Sequence, residues 1–552
     1  MNKIVQLSEE TIAKIAAGEV IERPSYAVKE LVENAIDAKP THIDVIIVDS
    51  GLTEITVVDD GVGMSKEDLQ MALLPHTTSK IRDSSELTTV STLGFRGEGL
   101  SSLVAISDIS LSSRPKNSAV GHSIESVNAS IQSIKQIGMA TGTRISAYKL
   151  MNNLPARKKF LKSERTEFRH IVEYILEVSL SFPSIYFTLT HNNKKIVDIG
   201  GNTTSRISEI FGESVAARIM SRSFKNSITS VDLNIGHPEN ALPSKNKLYI
   251  YINNRPVSDP VVAAAIKEAY GKLLDPYSYP VGAVFVSIPS QFVDVNVHPT
   301  KREVRFESAE YIFQEILENT RELLGSYNLT FGSQNVHATN REIASDLRAD
   351  VSKLPISHIL DDTLSDELII IDNTYLITPH KDGLILFDQH AAHEALLYEA
   401  FSKSFLKHKT ESIELAAPIL IPLTKTQMLE FEEHGEVFHK MGFKIDIFGG
   451  NTVKVSAIPK LANEHDIAGH IAEILEYVSS SHYPDIDHIN NKMIAFLSCK
   501  SAIKAGDKLS KTEAFKIIHA LNESNSVYTC PHGRPVKRIV SVRDLQKMFK
   551  RV

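Results

Sequence analysis

One helical segment and the clusters that follow it constrain this chain more than its bulk composition does. Between Tyr26 and Ala38, Val28, Leu31, Val32, Ala35 and Ile36 recur at helical spacing and share one face, and Pro24 suits the first turn of such a helix. Glu30, Asn34 and Asp37 fall on the opposite face. A merely solvated face would usually carry Lys or Arg as well. Carboxylates with an amide instead suit a hard cation such as Mg²⁺ and a general base for water. Strands are expected over 43–48 and 54–58, and Asp59-Asp60-Gly61-Val62-Gly63-Met64 follows the second. Glycine there lets the backbone approach a planar ligand, while an Asp can accept a hydrogen bond from an exocyclic amine. His76-Thr77-Thr78-Ser79-Lys80-Ile81 comes next, then Gly94-Phe95-Arg96-Gly97-Glu98-Gly99-Leu100. The glycines of that loop free backbone N–H groups to wrap phosphate ahead of a helix start. Gly142-Thr143-Arg144 completes the series. Any one cluster reads equally well as a wet helix face or a turn; five in order point to a nucleotide site. No Walker A pattern is present, so a P-loop NTPase fold is excluded.

A second constellation lies toward the C-terminus. The chain has only two cysteines, so disulfides do not hold it together, and both thiols sit in metal-like clusters. Cys499 lies in Ser498-Cys499-Lys500-Ser501-Ala502-Ile503, and Cys530 begins Cys530-Pro531-His532-Gly533-Arg534-Pro535. Upstream, His390 and Glu394 are four residues apart and share a helix face, with Asp388 at the strand-to-helix corner before them. Cys530 and His532 could complete one site or a pair of sites, with S, N and O ligands suited to zinc or manganese. Cys499 fits a second metal or a buried thiol behind the ligands equally well. Glu399 is about 180° from His390 on the same helix and is not expected at the same metal.

At 552 residues the chain exceeds one ordinary core, and three or four domains are expected. The apolar (42%) and charged (23%) fractions are those of a soluble globular protein. No apolar run reaches the ~18 residues of a membrane span, no secretory pattern opens the chain, and the setting expected is reducing, intracellular and cytoplasmic. A net charge of −7 argues against a uniformly basic nucleic-acid binder but leaves two local patches. One is Arg157-Lys158-Lys159 with Lys162 and Arg165; the other runs from Arg534 to Arg551. Strand-like Lys247–Ile252 and Ala283–Ile288 flank a helix-like stretch, Val261 to Leu274. Residues 327–360 have linker composition. Strands resume at Glu367–Ile371, Tyr375–Thr378 and Leu384–Phe387, followed by a helix from about Ala391.

The five N-terminal clusters closely resemble the GHKL ATPase family, shared by gyrase B, chaperone ATPases, histidine kinases and MutL. The wording points within it to the MutL family of mismatch repair proteins, in the subgroup with a C-terminal endonuclease motif. Ile15-Ala16-Ala17-Gly18-Glu19-Val20-Ile21-Glu22-Arg23-Pro24, Lys29-Glu30-Leu31-Val32-Glu33-Asn34 and Gly94-Phe95-Arg96-Gly97-Glu98 are MutL-like. So are Leu154-Pro155-Ala156-Arg157-Lys158-Lys159-Phe160-Leu161, Asn253-Asn254-Arg255-Pro256-Val257 and Asp294-Val295-Asn296-Val297-His298-Pro299-Thr300-Lys301. The resemblance implies an α+β multidomain chain. Residues 1–212 would be a GHKL (Bergerat) ATPase α/β sandwich and 213–328 a ribosomal-S5-like transducer domain. A linker would span 329–360, and 361–552 an α/β dimerisation and endonuclease domain, with a regulatory subdomain at about 422–485.

It also implies roles. Glu30 would activate the attacking water and Asn34 would ligate Mg²⁺ on the phosphates of ATP. Asp59 would bind the adenine amine, with Gly63 and Thr143 beside the base. Lys80 would contact the nucleotide, Arg96, Gly97 and Gly99 would belong to the lid over the phosphates, and Lys301 would reach the γ-phosphate from the second domain. ATP would clamp two N-terminal halves together, and hydrolysis would release them. The stretch Asp388 to Glu399 resembles the family's nicking motif. With His390, Glu394, Cys499, Cys530 and His532 it implies Zn²⁺ or Mn²⁺ supporting incision, with Asp388 catalytic. Implied partners are DNA, the mismatch-recognition protein MutS and a second copy of the chain, in a nucleoid-associated setting, with no membrane. Two departures stand out. Ala395 replaces an Arg common after the Glu, and Ala417-Pro418-Ile419-Leu420-Ile421-Pro422 lacks the Gln that usually opens the sliding-clamp contact, which leaves clamp binding open. Two rivals remain: a non-cutting matchmaker whose metal is structural, and a GHKL chaperone or topoisomerase-type subunit.

Overall fold

The computed structural model describes residues 8–80, 93–94, 97–242, 247–274, 278–294, 304–327, 368–406, 411–460, 467–480, 493–495, 497–499, 501–503, 507–524, 529–531 and 534–551. The chain divides into two compact units, Met1–Leu329 with Thr424–Leu429, and Thr330–Leu423 with Glu430–Val552.

In the first unit, α1 (Glu9–Val20) leads to α2 (Pro24–Asp37), which begins as the sequence suggests, with Pro24 in the first turn after an extended Arg23. It stops at Asp37 because Lys39 turns to φ +54° and Pro40 follows. Val28, Leu31, Val32, Ala35 and Ile36 are all buried, as their spacing requires. Each side chain of Val or Leu size contributes roughly 1.5–3 kcal/mol when fully buried. Lys29 and Glu33 are buried too, as an i,i+4 ion pair 3.8 Å apart, which the two-faced reading of this helix did not foresee.

A nine-stranded sheet carries the helices: β1 (His42–Val48), β2 (Glu54–Asp59), β3 (Asp108–Arg114), β4 (Gly121–Val127), β5 (Ser130–Ile131), β6 (Lys135–Ile137), β7 (Gly142–Tyr148), β8 (Tyr186–His191) and β9 (Lys194–Ile199). Their order is β5-β4-β3-β7-β2-β1-β8-β9, with β6 on β4, and every pairing is antiparallel except β1 with β8. Ile43, Val45 and Ile47 alternate into the core from β1. α2, α3 (Lys66–Ala72), α4 (Gly99–Ile106) and α6 (Glu164–Ser181) contact the sheet, and α5 is the single turn Pro155–Lys158. The register sets Asp59 opposite Thr143, and Thr143 opposite Ser113, so three adjacent strands end in polar residues at one place.

The same unit holds a five-stranded sheet, β10 (Ile219–Lys225), β11 (Ser230–Gly236), β14 (Gly282–Ser287), β12 (Leu248–Ile252) and β13 (Arg255–Val257), in that order. The helix expected over Val261–Leu274 forms as Pro260–Tyr270. It ends where Gly271 takes φ +48°, and a 3-10 turn, Gly271–Leu273, continues the chain.

The second unit contains a four-stranded antiparallel sheet ordered Ile369–Ile371, Tyr375–His380, Gly383–Asp388, Lys537–Ser541. A helix, Gln389–Leu406, leaves directly from Asp388. Ile369 and Ile371 pair with Ile377 and Tyr375, and Ile377 pairs with Leu386, so one face of this sheet is a row of apolar residues. Ile369 is 60% exposed on it. The segment Ala417–Pro422 runs in the strand Ser412–Pro422, within a separate three-stranded sheet. The expected linker 329–360 lies outside the described residues. Among the described residues, no helix is long and apolar enough to cross a membrane.

Candidate functional site

The outward face of α2 delivers Glu30, Asn34 and Asp37 into one polar cluster. Asp37 is its hub. Its carboxylate accepts the N–H groups of Leu93 (3.0 Å) and Gly94 (3.1 Å) and pairs with the Lys80 ammonium. Lys80 also donates to Asn34 Oδ1 at 2.8 Å. An amide oxygen and a carboxylate thus already share one cation here, and both are oxygen donors of the kind a hydrated Mg²⁺ accepts. Glu30 faces the first residue of α4. A Cβ on Gly99 would lie 2.3 Å from Glu30 Oε2, so any larger residue there would push the Glu30 carboxylate out of its present place. The Gly97 carbonyl accepts the His76 N–H at 3.2 Å, joining the two flanking loops. Arg96 and Lys301 lie outside the described residues.

Asp59 sits at the other end of the cluster, at the end of β2. Its Oδ1 accepts the Gly61 N–H at 2.9 Å. Burial pushes its carboxyl up to about 6, against the pull of the Gly61 and Thr143 N–H groups. A buried carboxylate held this high gains from a further donor such as an exocyclic amine. Gly63 has φ +70°, and a Cβ there would lie 2.2 Å from the Arg114 carbonyl oxygen, so the loop closes against β3 only with glycine. Ser113, which the motifs did not reveal, ties this end together. Its hydroxyl accepts the Met64 N–H (2.8 Å), donates to the Gly142 carbonyl (3.0 Å) and meets Thr143 Oγ1 (3.0 Å). The available signal was positional: Ile109, Leu111 and Ser113 alternate toward the same side of β3. Arg255 belongs to the Asn253–Val257 motif, which by itself implies no role for it. It is buried and donates to the Leu93 carbonyl at 3.1 Å, so the five-stranded sheet grips the peptide that Asp37 holds from the other side.

The basic stretch after α5 keeps Lys158, Lys159, Lys162 and Arg165 exposed, with Phe160 exposed among them. Arg157 differs: its guanidinium lies where a Cβ on Gly18 would be, 2.5 Å from it, packed over α1.

In the second unit, backbone hydrogen bonds bring parts of the motif segments to the corner at Asp388. Asp388 Oδ1 accepts the Ala391 N–H at 2.9 Å, starting the helix, and its own N–H donates to the Val536 carbonyl at 3.2 Å. That bond, with the pairing of Phe387 and Lys537, brings the segment following Cys530 to this corner. Cys530 is buried, and its N–H donates to the Arg534 carbonyl. Gln389 is fully buried and donates to the Asn373 (2.6 Å) and Asp507 (3.0 Å) carbonyls. His390 Nδ1 is 2.6 Å from the Ile503 carbonyl, and His393 Nδ1 accepts the Ile503 N–H at 3.0 Å. Burial pushes His393 down to about 4, with His390 beside it adding to the shift. Glu394 is buried one turn beyond His390. Cys499 is only half-buried, less enclosed than its sequence setting suggested. Glu399 points elsewhere, pairing with Lys403 (2.7 Å) and accepting from Ser524 (2.6 Å), as its place on the helical wheel requires. Among the described residues, no group of three or more His, Cys, Asp or Glu side chains is placed to hold a metal; His532 lies outside them.

The residues present nonetheless fit a zinc-type ligand set in one respect. A carbonyl only accepts, so His390 carries its hydrogen on Nδ1 and keeps the Nε2 lone pair for a cation. Ligating histidines are commonly oriented this way by a backbone carbonyl.

Three family models match the chain. "Histidine kinase-, DNA gyrase B-, and HSP90-like ATPase" matches residues 22–155, "DNA mismatch repair protein, C-terminal domain" 207–325, and "MutL C terminal dimerisation domain" 368–509. The DNA mismatch repair protein MutL of Clostridium tetani is 32% identical over 619 residues, covering 100% of both chains. That of Dictyoglomus turgidum is 33% identical over 574 residues, again covering 100% of both. A crystal structure of the N-terminal domain of a DNA repair protein is 25% identical, with a TM-score of 0.50, and covers 58% of this chain and 100% of that one.

Proposed function

Because the chain belongs to the MutL family of DNA mismatch repair proteins, with a GHKL ATPase module and a C-terminal dimerisation domain, we propose that it is an ATP-gated homodimeric clamp that also nicks DNA. In this reading Glu30 takes a proton from the attacking water, Asn34 holds Mg²⁺, and Asp59 reads the adenine amine with Gly63 and Thr143 beside it. Lys80, Arg96, Gly97, Gly99 and Lys301 attend the phosphates. Phosphoryl transfer depends on such positioning and charge stabilisation more than on covalent help. The division 1–212, 213–328, 329–360 and 361–552 is retained as part of the proposal. The apolar sheet face of Ile369, Ile371 and Tyr375 is the surface through which the dimerisation domain would meet a second copy. DNA would bind through phosphate contacts at Lys158, Lys159, Lys162 and Arg165, and MutS would supply mismatch recognition.

One observation carries the nuclease part: His390 has its Nδ1 bound to Ile503 and its other nitrogen left for a cation, one turn from Glu394 and beside Asp388. Asp388, His390, Glu394, Cys530 and His532 would hold Zn²⁺ or Mn²⁺, with Cys499 as ligand or supporting thiol. The cation would supply water activation and stabilise charge on the phosphate. Nicking of supercoiled plasmid with Mn²⁺ tests this. The wild-type chain is expected to convert it to open circle, and Asp388→Asn to lose at least about 10²-fold of that rate. An inactive wild type, or a variant equal to it, returns the chain to the non-cutting matchmaker.

A further inference from the structure

His390 and His393 lie three residues apart on the first turns of the helix Gln389–Leu406, and both reach one residue, Ile503, 113 and 110 positions away. They take its carbonyl and its N–H, which belong to the two successive peptide groups on either side of its Cα. The two bonds dictate opposite tautomers. His390 meets a carbonyl, which only accepts, so its Nδ1 bears the hydrogen and Nε2 the lone pair. His393 meets an N–H, which only donates, so its Nδ1 bears the lone pair and, in a neutral ring, Nε2 the hydrogen. Of two adjacent imidazoles, one is set to ligate through Nε2 and the other is barred from doing so.

We propose that His393 is a positioning residue of the C-terminal metal corner: by holding the Ile503 N–H it fixes that residue in the place from which its carbonyl, in the next peptide, meets His390, so that His390 alone offers a nitrogen to the cation. This rests on the metal reading of that corner. His393 is 2% exposed, and an apolar side chain would fill such a place at lower cost unless the ring's acceptor were needed. The proposal also gives the Ser498–Ile503 motif a task that its thiol alone does not supply. Its backbone, carried at Ile503, sets which histidine ligates and which does not.

The test is zinc affinity of the full chain, stripped of metal and titrated against a chromophoric chelator, with the visible spectrum of the Co²⁺-loaded protein as a record of ligand geometry. His393→Leu removes the acceptor and is expected to bind zinc about 10–100-fold more weakly. His393→Asn places Oδ1 where Nδ1 stood and is expected to stay within about threefold of the wild type with the same cobalt spectrum. Should His393→Leu fail to fold in a thermal melt, His393→Gln serves in its place. Gln has similar polarity but carries its acceptor one bond too far out, and the same weakening is expected. Wild-type affinity in the Leu or Gln variant overturns the proposal. Equal loss in Asn and Leu also overturns it, since His393 would then be a ligand itself. A wild-type chain that takes up no zinc sinks the proposal together with the metal reading. Tight zinc in the wild type, weakened in His393→Leu and restored in His393→Asn, upholds the proposal even where plasmid nicking is absent, and removes only the nuclease.

Discussion

The nucleotide cluster hangs its polar side chains on elements that already have an apolar reason to exist. Glu30, Asn34 and Asp37 ride on a helix whose other face is buried, and Asp59 and Thr143 are neighbours in a strand ladder. The Asp388 corner is assembled differently. Its segments come from far apart in the chain, and what joins them is backbone hydrogen bonding, at Ile503 and at Val536. The first site is held by packing and the second by a few buried polar contacts. Changes at the first should therefore separate chemistry from folding, while changes at the second should move local order together with the affinity for the proposed metal.

The largest separation is expected at Glu30. Glu30→Ala removes the proposed general base and leaves the apolar face of its helix intact. ATP turnover should fall by about 10²–10⁴-fold, with nucleotide affinity changed little. Steady-state hydrolysis set beside equilibrium binding of a fluorescent ATP analogue checks both halves. Persistent turnover would break the assignment, and loss of binding would mean that Glu30 also shapes the pocket.

Asp59 should show a smaller effect with a telling sign. Its carboxyl is raised by burial from an ordinary value near 3.8 to about 6, so the folded state binds the proton more tightly than the unfolded chain. Its favourable contribution is complete below pH ~4 and lost as pH rises to ~6, which leaves a charged Asp59 costing at most about 3 kcal/mol above that. Asp59→Asn should therefore stabilise the nucleotide-free protein by about 1–3 kcal/mol at pH 7.5 while weakening ATP by about 10²-fold or more. If Asp59 reads the adenine amine as proposed, ATP affinity in the wild type should decline as pH falls below about 6, because that amine donates to the ionised carboxylate. Denaturant melts and a binding pH profile read both. A destabilised Asp59→Asn would show that the carboxylate is held by donors strong enough to outweigh burial.

The same contrast explains what could be read without a structure. The face of α2 and the strand at 43–48 follow from periodicity, because one apolar side dictates each of them, whereas the helix after Asp388 is buried on every side from Ala391 to Leu397. Gly63 was legible for the same reason that it is needed: no Cβ fits there. Ser113 and His393 were not. Both act through hydrogen bonds to residues tens to more than a hundred positions away, and nothing in a serine on a strand or a histidine on a helix announces its partner. The burial of Lys29 and Glu33 escaped for a related reason: a charged pair at i,i+4 reads as a solvated face until α6 is seen to pack on α2.

Arg255 gives the smallest expected effect and the finest probe of the comparison, since it makes in the first unit the kind of long-range backbone contact that dominates the second. It reaches 162 residues back to the Leu93 carbonyl, while Asp37 holds the Leu93 and Gly94 N–H groups. That peptide is fixed from both sides, beside Asn34 and Lys80. Arg255→Lys keeps the charge but loses the planar fork that can reach the carbonyl while meeting other partners. Turnover should fall by about 5–20-fold through the maximal rate, with ATP affinity moving less than about threefold, because Asp37 still anchors the amides and only their orientation relaxes. Rate and affinity measured across an Arg255→Lys and Asp37→Asn double-mutant cycle would show coupling of about 1 kcal/mol or more if both side chains act on the one peptide. Additive losses would mean that the grip on Leu93 is incidental, and that packing alone positions the nucleotide cluster.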